Sequence, residues 1–304
     1  MNYFKRVAAL LLTLPLLALS FSAGAFEFAS NDVYASAFYS MTINHYRADG
    51  TYVESMVLSS TYGTQVHSLA FGPDGLLYAV TATSGGFAVV AVDSSGTAHG
   101  VYNSAIHIEG SPDDGKITFG ANGVFYVTAQ KWLTAFQIGS PTGSVIYTSN
   151  LSSSNLLSAA AVLPTGNLLV LSAFSLDEIT SSGTVVRNIL SSQYLNWAGG
   201  LAYDKDNDTI FVSNWGSFTG YDASILAIRG STGHIINGGA LPYAKGLLVT
   251  SNKQLFIGSW GWAPEVIDEN FTTLFATLNH SQTDFTQMSP RPCGQLYGAK
   301  CPRN

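Results

Sequence analysis

His67-Ser-Leu-Ala-Phe-Gly-Pro-Asp-Gly-Leu-Leu-Tyr-Ala-Val-Thr81 is the stretch that decides the fold. An apolar run meets the turn residues Gly72 to Gly75, and a second apolar run follows and ends on a hydroxyl. Turn chemistry of this kind between two apolar runs is a hairpin signal. The phrase recurs at Gly115–Thr128, Ser158–Ser172, Gly199–Ser213 and Lys245–Ser259, so the starts fall at 67, 115, 158, 199 and 245 with spacings of 48, 43, 41 and 46. After each hairpin come a third strand, a turn and a fourth strand, as in Ala88–Val92 and Thr97–Tyr102 or Ile225–Ile228 and His234–Asn237. A period in the forties with four short strands per unit is the signature of propeller blades.

The remaining pieces close a ring. Val33–Phe38, Ser40–Tyr46 and Tyr52–Leu58 read as the second to fourth strands of a blade that lacks its inner strand. Thr283–Pro290 resembles the missing strand, with Pro290 standing where Pro73 stands. Pairing the two ends in one blade removes the open edges that a seam would leave. The expected fold is therefore all-β: a six-bladed β-propeller of four-stranded antiparallel blades. No linker, Pro-rich stretch or charge run divides it into smaller domains,.

Ahead of the repeats, Lys5 and Arg6 precede an apolar run from Val7 to Leu19 that closes on Ala23-Gly24-Ala25. This is the pattern of a signal peptide, and the run is short for a membrane anchor. The reading is a signal peptide at 1–25, a propeller at 26–290 and a C-terminal tail at 291–304. The destination is exported, periplasmic or extracellular, with no transmembrane segment after cleavage. Removal of Lys5 and Arg6 leaves eleven cations against nineteen acids. That balance excludes a nucleic-acid footprint and an anionic lipid surface as partners. The two cysteines, Cys293 and Cys301, are expected to form a disulfide in an oxidising compartment,. The expected assembly is a monomer.

The phrase Phe-Gly-Pro-Asp-Gly-Leu-Leu-Tyr within Leu69–Val80 resembles a blade of the propellers grouped with NHL repeats, the SMP-30/gluconolactonase family and the streptogramin lyases. That resemblance implies a fold shared by lactonases, lyases and binding modules, and it selects no activity among them. SMP-30-type lactonases hold a divalent metal on Glu, Asn and Asp at the starts of the inner strands. The matching positions here are His67, Gly115, Ser158, Gly199, Lys245 and Asp284. Asp284 is the one hard carboxylate, so no cofactor is identified and a divalent metal would lack a complete ligand set.

Propeller topology places the connections that enter each inner strand on the same face as those that leave each second strand. Trp132, Trp197, Trp215, Trp260 and Trp262, all five tryptophans of the chain, fall on that face, together with Asn214 and Asn196. Such a cluster would suit a carbohydrate, another small organic ligand or a protein partner. Packing between blades is the competing role. On the same map Lys245, Asp284 and His67 head three consecutive inner strands and are candidate catalytic residues, the carboxylate poising the imidazole as a general base. An ion pair satisfying a narrow pore is the alternative.

Three functions remain open: a ligand-binding or interaction module on the Trp-rich face, a lactonase, hydrolase or lyase at the channel mouth, and an envelope scaffold. Asp204-Lys-Asp-Asn-Asp208 superficially resembles a calcium loop but lacks the Gly and distal Glu of a full one, and reads as a polar turn,.

Overall fold

The computed structural model describes residues 26–37, 39–84, 86–102, 115–149, 156–195, 197–214, 224–239, 244–259, 264–278 and 282–287. Among them run six four-stranded antiparallel sheets. Blade I holds β24 (Gln282–Gln287), β1 (Val33–Ala37), β2 (Thr42–Tyr46) and β3 (Tyr52–Val57). Blade II holds β4 (Gln65–Phe71), β5 (Leu77–Thr83), β6 (Gly86–Val92) and β7 (Ala98–Tyr102). Blade III holds β8 (Lys116–Phe119), β9 (Val124–Ala129), β10 (Trp132–Gln137) and β11 (Ser144–Thr148). Blade IV holds β12 (Leu157–Val162), β13 (Leu168–Ser172), β14 (Leu176–Ile179) and β15 (Val185–Leu190). Blade V holds β16 (Ala198–Asp204), β17 (Thr209–Asn214), β18 (Ile225–Arg229) and β19 (Ile235–Gly239). Blade VI holds β20 (Ala244–Val249), β21 (Gln254–Ser259), β22 (Glu265–Asp268) and β23 (Leu274–Thr277).

The six innermost strands, β4, β8, β12, β16, β20 and β24, each touch the next in turn, and β24 returns to β4. The ring is therefore closed. Blade I is the expected shared blade: β24 from the C-terminal end pairs with β1 near the N-terminal end, Ala35 opposite Phe285 and Ser36 opposite Asp284. Among the described residues no helix is long and apolar enough to cross a membrane.

Burial follows position in the blade. The second strands β13 and β17 are buried at every residue, because neighbouring blades cover both of their faces,. The outermost strands β3 and β15 are largely exposed, because one face meets solvent. The hydrophobic core is correspondingly divided, with one cluster at each of the six blade junctions. At the II–III junction Tyr78, Phe87 and Tyr102 of one blade meet Phe125 and Phe136 of the next, the last two stacked at 5.0 Å.

Polar contacts tie the inner strands across several junctions. Ser36 Oγ donates to the His67 carbonyl at 3.5 Å, the Ile117 amide donates to Ser68 Oγ at 3.1 Å, and Ser158 Oγ donates to the Ala198 carbonyl at 2.6 Å. Between blades V and VI the device is a glycine: a Cβ on Gly200 would collide with the Lys245 carbonyl. Any side chain there would force the two inner strands apart.

Candidate functional site

The upper face is the one on which the inner strands begin. At that end the ladders share an irregularity. Val66 pairs with Thr81 and Ser68 with Val80, which leaves His67 as an extra residue, a β-bulge. The same break isolates Ser158 between Leu157 and Ala159, Gly199 between Ala198 and Gly200, and Lys245 with Gly246 between Ala244 and Leu247. In blade I it isolates Thr283, between Gln282 and Asp284. Bulges re-aim side chains and recur at the rims of closed sheets. Here the bulge marks the residue that blades I, II, IV, V and VI contribute at the channel mouth.

This register corrects one of the expected positions. Asp284 lies one residue past the bulge, opposite Ser36, and Thr283 takes the place assigned to it; the side chain of Asp284 lies outside the described residues. In blade III the ladder begins at Lys116 opposite Thr128, the register of Ser68 opposite Val80, so Gly115 keeps the position that matches His67 and Lys116 is the residue after it.

Three basic residues stand at the mouth, on blades II, III and VI. His67 is buried, packs edge-to-face on Phe87 at 5.1 Å, and accepts a hydrogen bond at Nε2 from Gln65 Nε2 at 2.7 Å. Burial, then the nearby Lys116 and Lys245 ammonium groups, lower its pKa to about 3,. It is therefore neutral at pH 7, with the lone pair on Nε2 engaged by Gln65. Lys116 is itself buried, at 8% exposure, and half-buried Lys245 runs along blade V: a Cβ on Gly199 would lie 3.7 Å from Lys245 Cγ. The structure thus brings together His67, Lys245 and, in addition, Lys116.

Between blades III and VI the mouth is small and aromatic. Ser158 and Gly199 carry little bulk, and Trp197 stands two residues before Gly199. Trp197 is 45% exposed, holds a left-handed backbone at φ +63°, and tilts against Phe174 with ring centroids 5.8 Å apart. The Ala198 amide donates to the Ala173 carbonyl at 3.2 Å and pins this corner to blade IV. Trp132 is half-buried at the start of β10 beneath the Lys131 ammonium, 5.1 Å from the ring centroid. Asn214 is fully buried at the end of β17, where its amide donates to the Ser224 carbonyl at 2.8 Å. Trp215, Trp260, Trp262 and Asn196 lie outside the described residues, as do Cys293 and Cys301 and with them the expected disulfide.

The calcium-like turn of blade V is closed by protein groups. Lys253 Nζ donates to both oxygens of buried Asp204, at 2.7 and 2.8 Å, and to Asp206 at 3.2 Å. Asp208 accepts from the Ser231 amide at 2.8 Å and from Tyr203 Oη at 3.1 Å. An ammonium occupies the place a cation would take, and among the described residues no group of three His, Cys, Asp or Glu gathers that could hold a metal.

No known protein family matches the chain, and no curated protein matches it. Solved structures do. A protein of unknown function from Bacteroides caccae aligns at 13% identity with a TM-score of 0.62, over 86% of this chain and 99% of that one. The WD40 β-propeller domain of Doa1 aligns at 13% identity and TM-score 0.58, over 83% and 80% of the two chains. A functionally unknown protein from Desulfotomaculum acetoxidans aligns at 12% identity and TM-score 0.57, over 87% and 88%. At such identities the likeness is one of fold, and the fold is a β-propeller.

Proposed function

We propose that the protein is an exported β-propeller that binds a small organic ligand, a carbohydrate or another ring compound, at the upper mouth of its channel. One observation carries this reading: Trp197, the bulkiest side chain type, is held at φ +63° with nearly half its surface in solvent, beside Phe174. Left-handed backbone costs a non-glycine residue roughly 1–2 kcal/mol. Strain that presents an aromatic ring to solvent instead of burying it is better explained by a ligand than by packing.

Export is supported by the basic-then-apolar leader and by the packing of Phe26 and Phe28 against Tyr34 at 5.8 and 5.7 Å, which takes residues just past the proposed cleavage point into the fold. Grouping with NHL-like and SMP-30-like propellers rests on the hairpin phrase. Binding is favoured over acid–base catalysis because His67, with a pKa lowered to about 3, is a weak base at neutral pH,.

Tryptophan fluorescence of the processed protein, titrated with glycans, lactones and aromatic acids, tests the reading. A saturable change that vanishes in Trp197→Ala is expected. A response that survives Trp197→Ala unchanged, or no response to any member, would overturn it.

A further inference from the structure

We infer that the protein carries a second ligand site, a groove in the outer wall between blades V and VI, and that this groove takes a neutral saccharide. The inference is independent of the upper mouth and concerns a different part of the surface.

The groove exists because a bulky side chain is missing. In blade II, Tyr78 pairs with Ala91 and Tyr102 stands opposite Val89. Tyr102 fills the junction with blade III, 5.1 Å from the Phe125 ring and 6.4 Å from that of Phe136. In blade V, Phe211 pairs with Ala227 in the same register, and the position of Tyr102 falls to Gly239, opposite Ile225. Phe271, from the turn after β22, covers Gly239: a Cβ there would lie 2.8 Å from the Phe271 ring, which meets Phe211 at 6.1 Å. Beside this contact a space of about 680 Å³ stays open, an ordinary size for a small-molecule site,. Its apolar wall is Phe211, Ala227 and Ile236.

The polar wall spans the two blades. Asn207 Nδ2, on a turn of blade V, donates to both carboxylate oxygens of Glu269 on blade VI, at 3.1 and 3.4 Å. Asn237 Nδ2 donates to the Asn270 carbonyl at 3.0 Å, again from blade V to blade VI. Arg229 Nη1 donates to the Asn207 carbonyl at 2.6 Å and steadies the turn. These bonds hold the groups in place before a ligand arrives. They do not exhaust them, because an amide side chain has two donors and two acceptor lone pairs, and a carboxylate about four lone-pair sites. Asn207, Asn237 and Asn270 are all exposed, so that capacity meets solvent.

Charge selects the class of ligand. A phosphate or carboxylate would approach Asp206 and Glu269 and be repelled,. A small cation meets carboxylates that are already served: Asp206 accepts from Lys205 at 2.8 Å and from Lys253 at 3.2 Å, and Asp208 from the Ser231 amide and Tyr203 Oη. Hydroxyl groups fit what remains. Each both donates and accepts, so it can donate to Glu269 or to an amide oxygen and accept from an amide N–H. Ile236 is 46% exposed and lines the same space, where it can cover the C–H face of a ring,. Several hydroxyls and an apolar face on one compact ring describe a sugar.

The probes are the methyl glycosides of glucose, galactose, mannose and N-acetylglucosamine, with methyl phosphate and methylammonium as charged controls. Binding is read by calorimetry and by the side-chain amide signals of Asn207, Asn237 and Asn270 in ¹⁵N spectra. At least one glycoside is expected to shift these signals saturably. Glu269→Gln keeps the shape and removes the charge, and should weaken binding about tenfold. Ile236→Ser should weaken it about threefold, with circular dichroism unchanged in both variants. Trp197→Ala should leave the shifts as in the wild type, which separates the groove from the upper mouth. No shift with any of the four glycosides overturns the inference, as does a response to a charged control alone. Shifts lost in Trp197→Ala would assign the sugar to the upper mouth and overturn it, and so would full affinity in both groove variants. Failure of the upper mouth to bind a ligand leaves the groove standing.

Discussion

The lower rim of the propeller and its upper mouth are made in opposite ways. On the lower rim the turns at Asp93 and Asp268 are closed by groups a few residues apart. Asp93 Oδ1 accepts the amides of Ser95 and Thr97 at 2.8 and 3.1 Å, and Asp268 Oδ1 accepts those of Asn270 and Thr272 at 3.1 and 2.8 Å. These are local solutions to local backbone needs. Hydrogen bonds from Thr272 and Thr273 hold the Asp268 carboxyl at a pKa of about 2, so its charge is a fixed part of the turn. At the upper mouth His67, Lys116 and Lys245 meet only because the ring closes, and their interactions are unfavourable to one another. One region is arranged for stability and satisfies its charges; the other carries charge and strain together.

The sharpest way to break this contrast is to remove a charge from each region. Asp204 on the lower rim is 5% exposed, and Lys253 is the cation that compensates it. Breaking a pair with one buried member leaves that charge uncompensated. Lys253→Met should therefore lower unfolding free energy by about 2 kcal/mol, a figure reduced for the partial exposure of the lysine. Urea denaturation at pH 7 measures it. A loss below about 0.5 kcal/mol would mean that the turn holds itself through backbone bonds alone.

The upper mouth should respond to pH instead. The folded state holds His67 below its unfolded pKa, so the unfolded chain takes up a proton that the folded one refuses. Stability is then full above pH 6.5 and falls as pH drops toward the folded value of about 3,. Between pH 7 and pH 5 the contribution is about 1–2 kcal/mol. His67→Gln keeps the hydrogen-bonding capacity and removes the titration, so the difference between wild type and variant should shrink by that amount on going from pH 7 to pH 5. A pH-independent difference would show that His67 titrates normally, and that the two lysines do not act on it.

The unequal legibility of the two regions has the same cause. The hairpins could be read because turn chemistry and strand alternation are local, and the signal at Gly72–Gly75 lies within the segment it folds. The seam could be read because Thr283–Pro290 resembles the strand missing before Val33. Lys116 was passed over because it stands one residue beyond the position compared between blades. A one-residue slip put Asp284 where Thr283 stands, because a bulge leaves no mark in composition. The depressed pKa of His67 comes first from its burial and then from ammonium groups of blades III and VI, and both are set by ring closure, not by sequence distance. Trp197 could be placed on the correct face, but its left-handed backbone is a property of the folded corner.

That corner offers the finest comparison, between strain and packing at a single residue. If Trp197 is held at φ +63° against its own preference, the position favours glycine over alanine, since glycine alone adopts this conformation freely,. Both substitutions remove the ring that meets Phe174 and should abolish the ligand response equally. They should differ in stability, Trp197→Gly exceeding Trp197→Ala by roughly 1 kcal/mol. The usual order on extended backbone is the reverse, because glycine loses more conformational freedom on folding. Parallel thermal and urea denaturation of the two variants decides it. Alanine the more stable of the two would mean that the corner relaxes once the indole is gone. The indole would then impose the unusual backbone instead of being presented by it, and the strain would belong to the side chain's own packing.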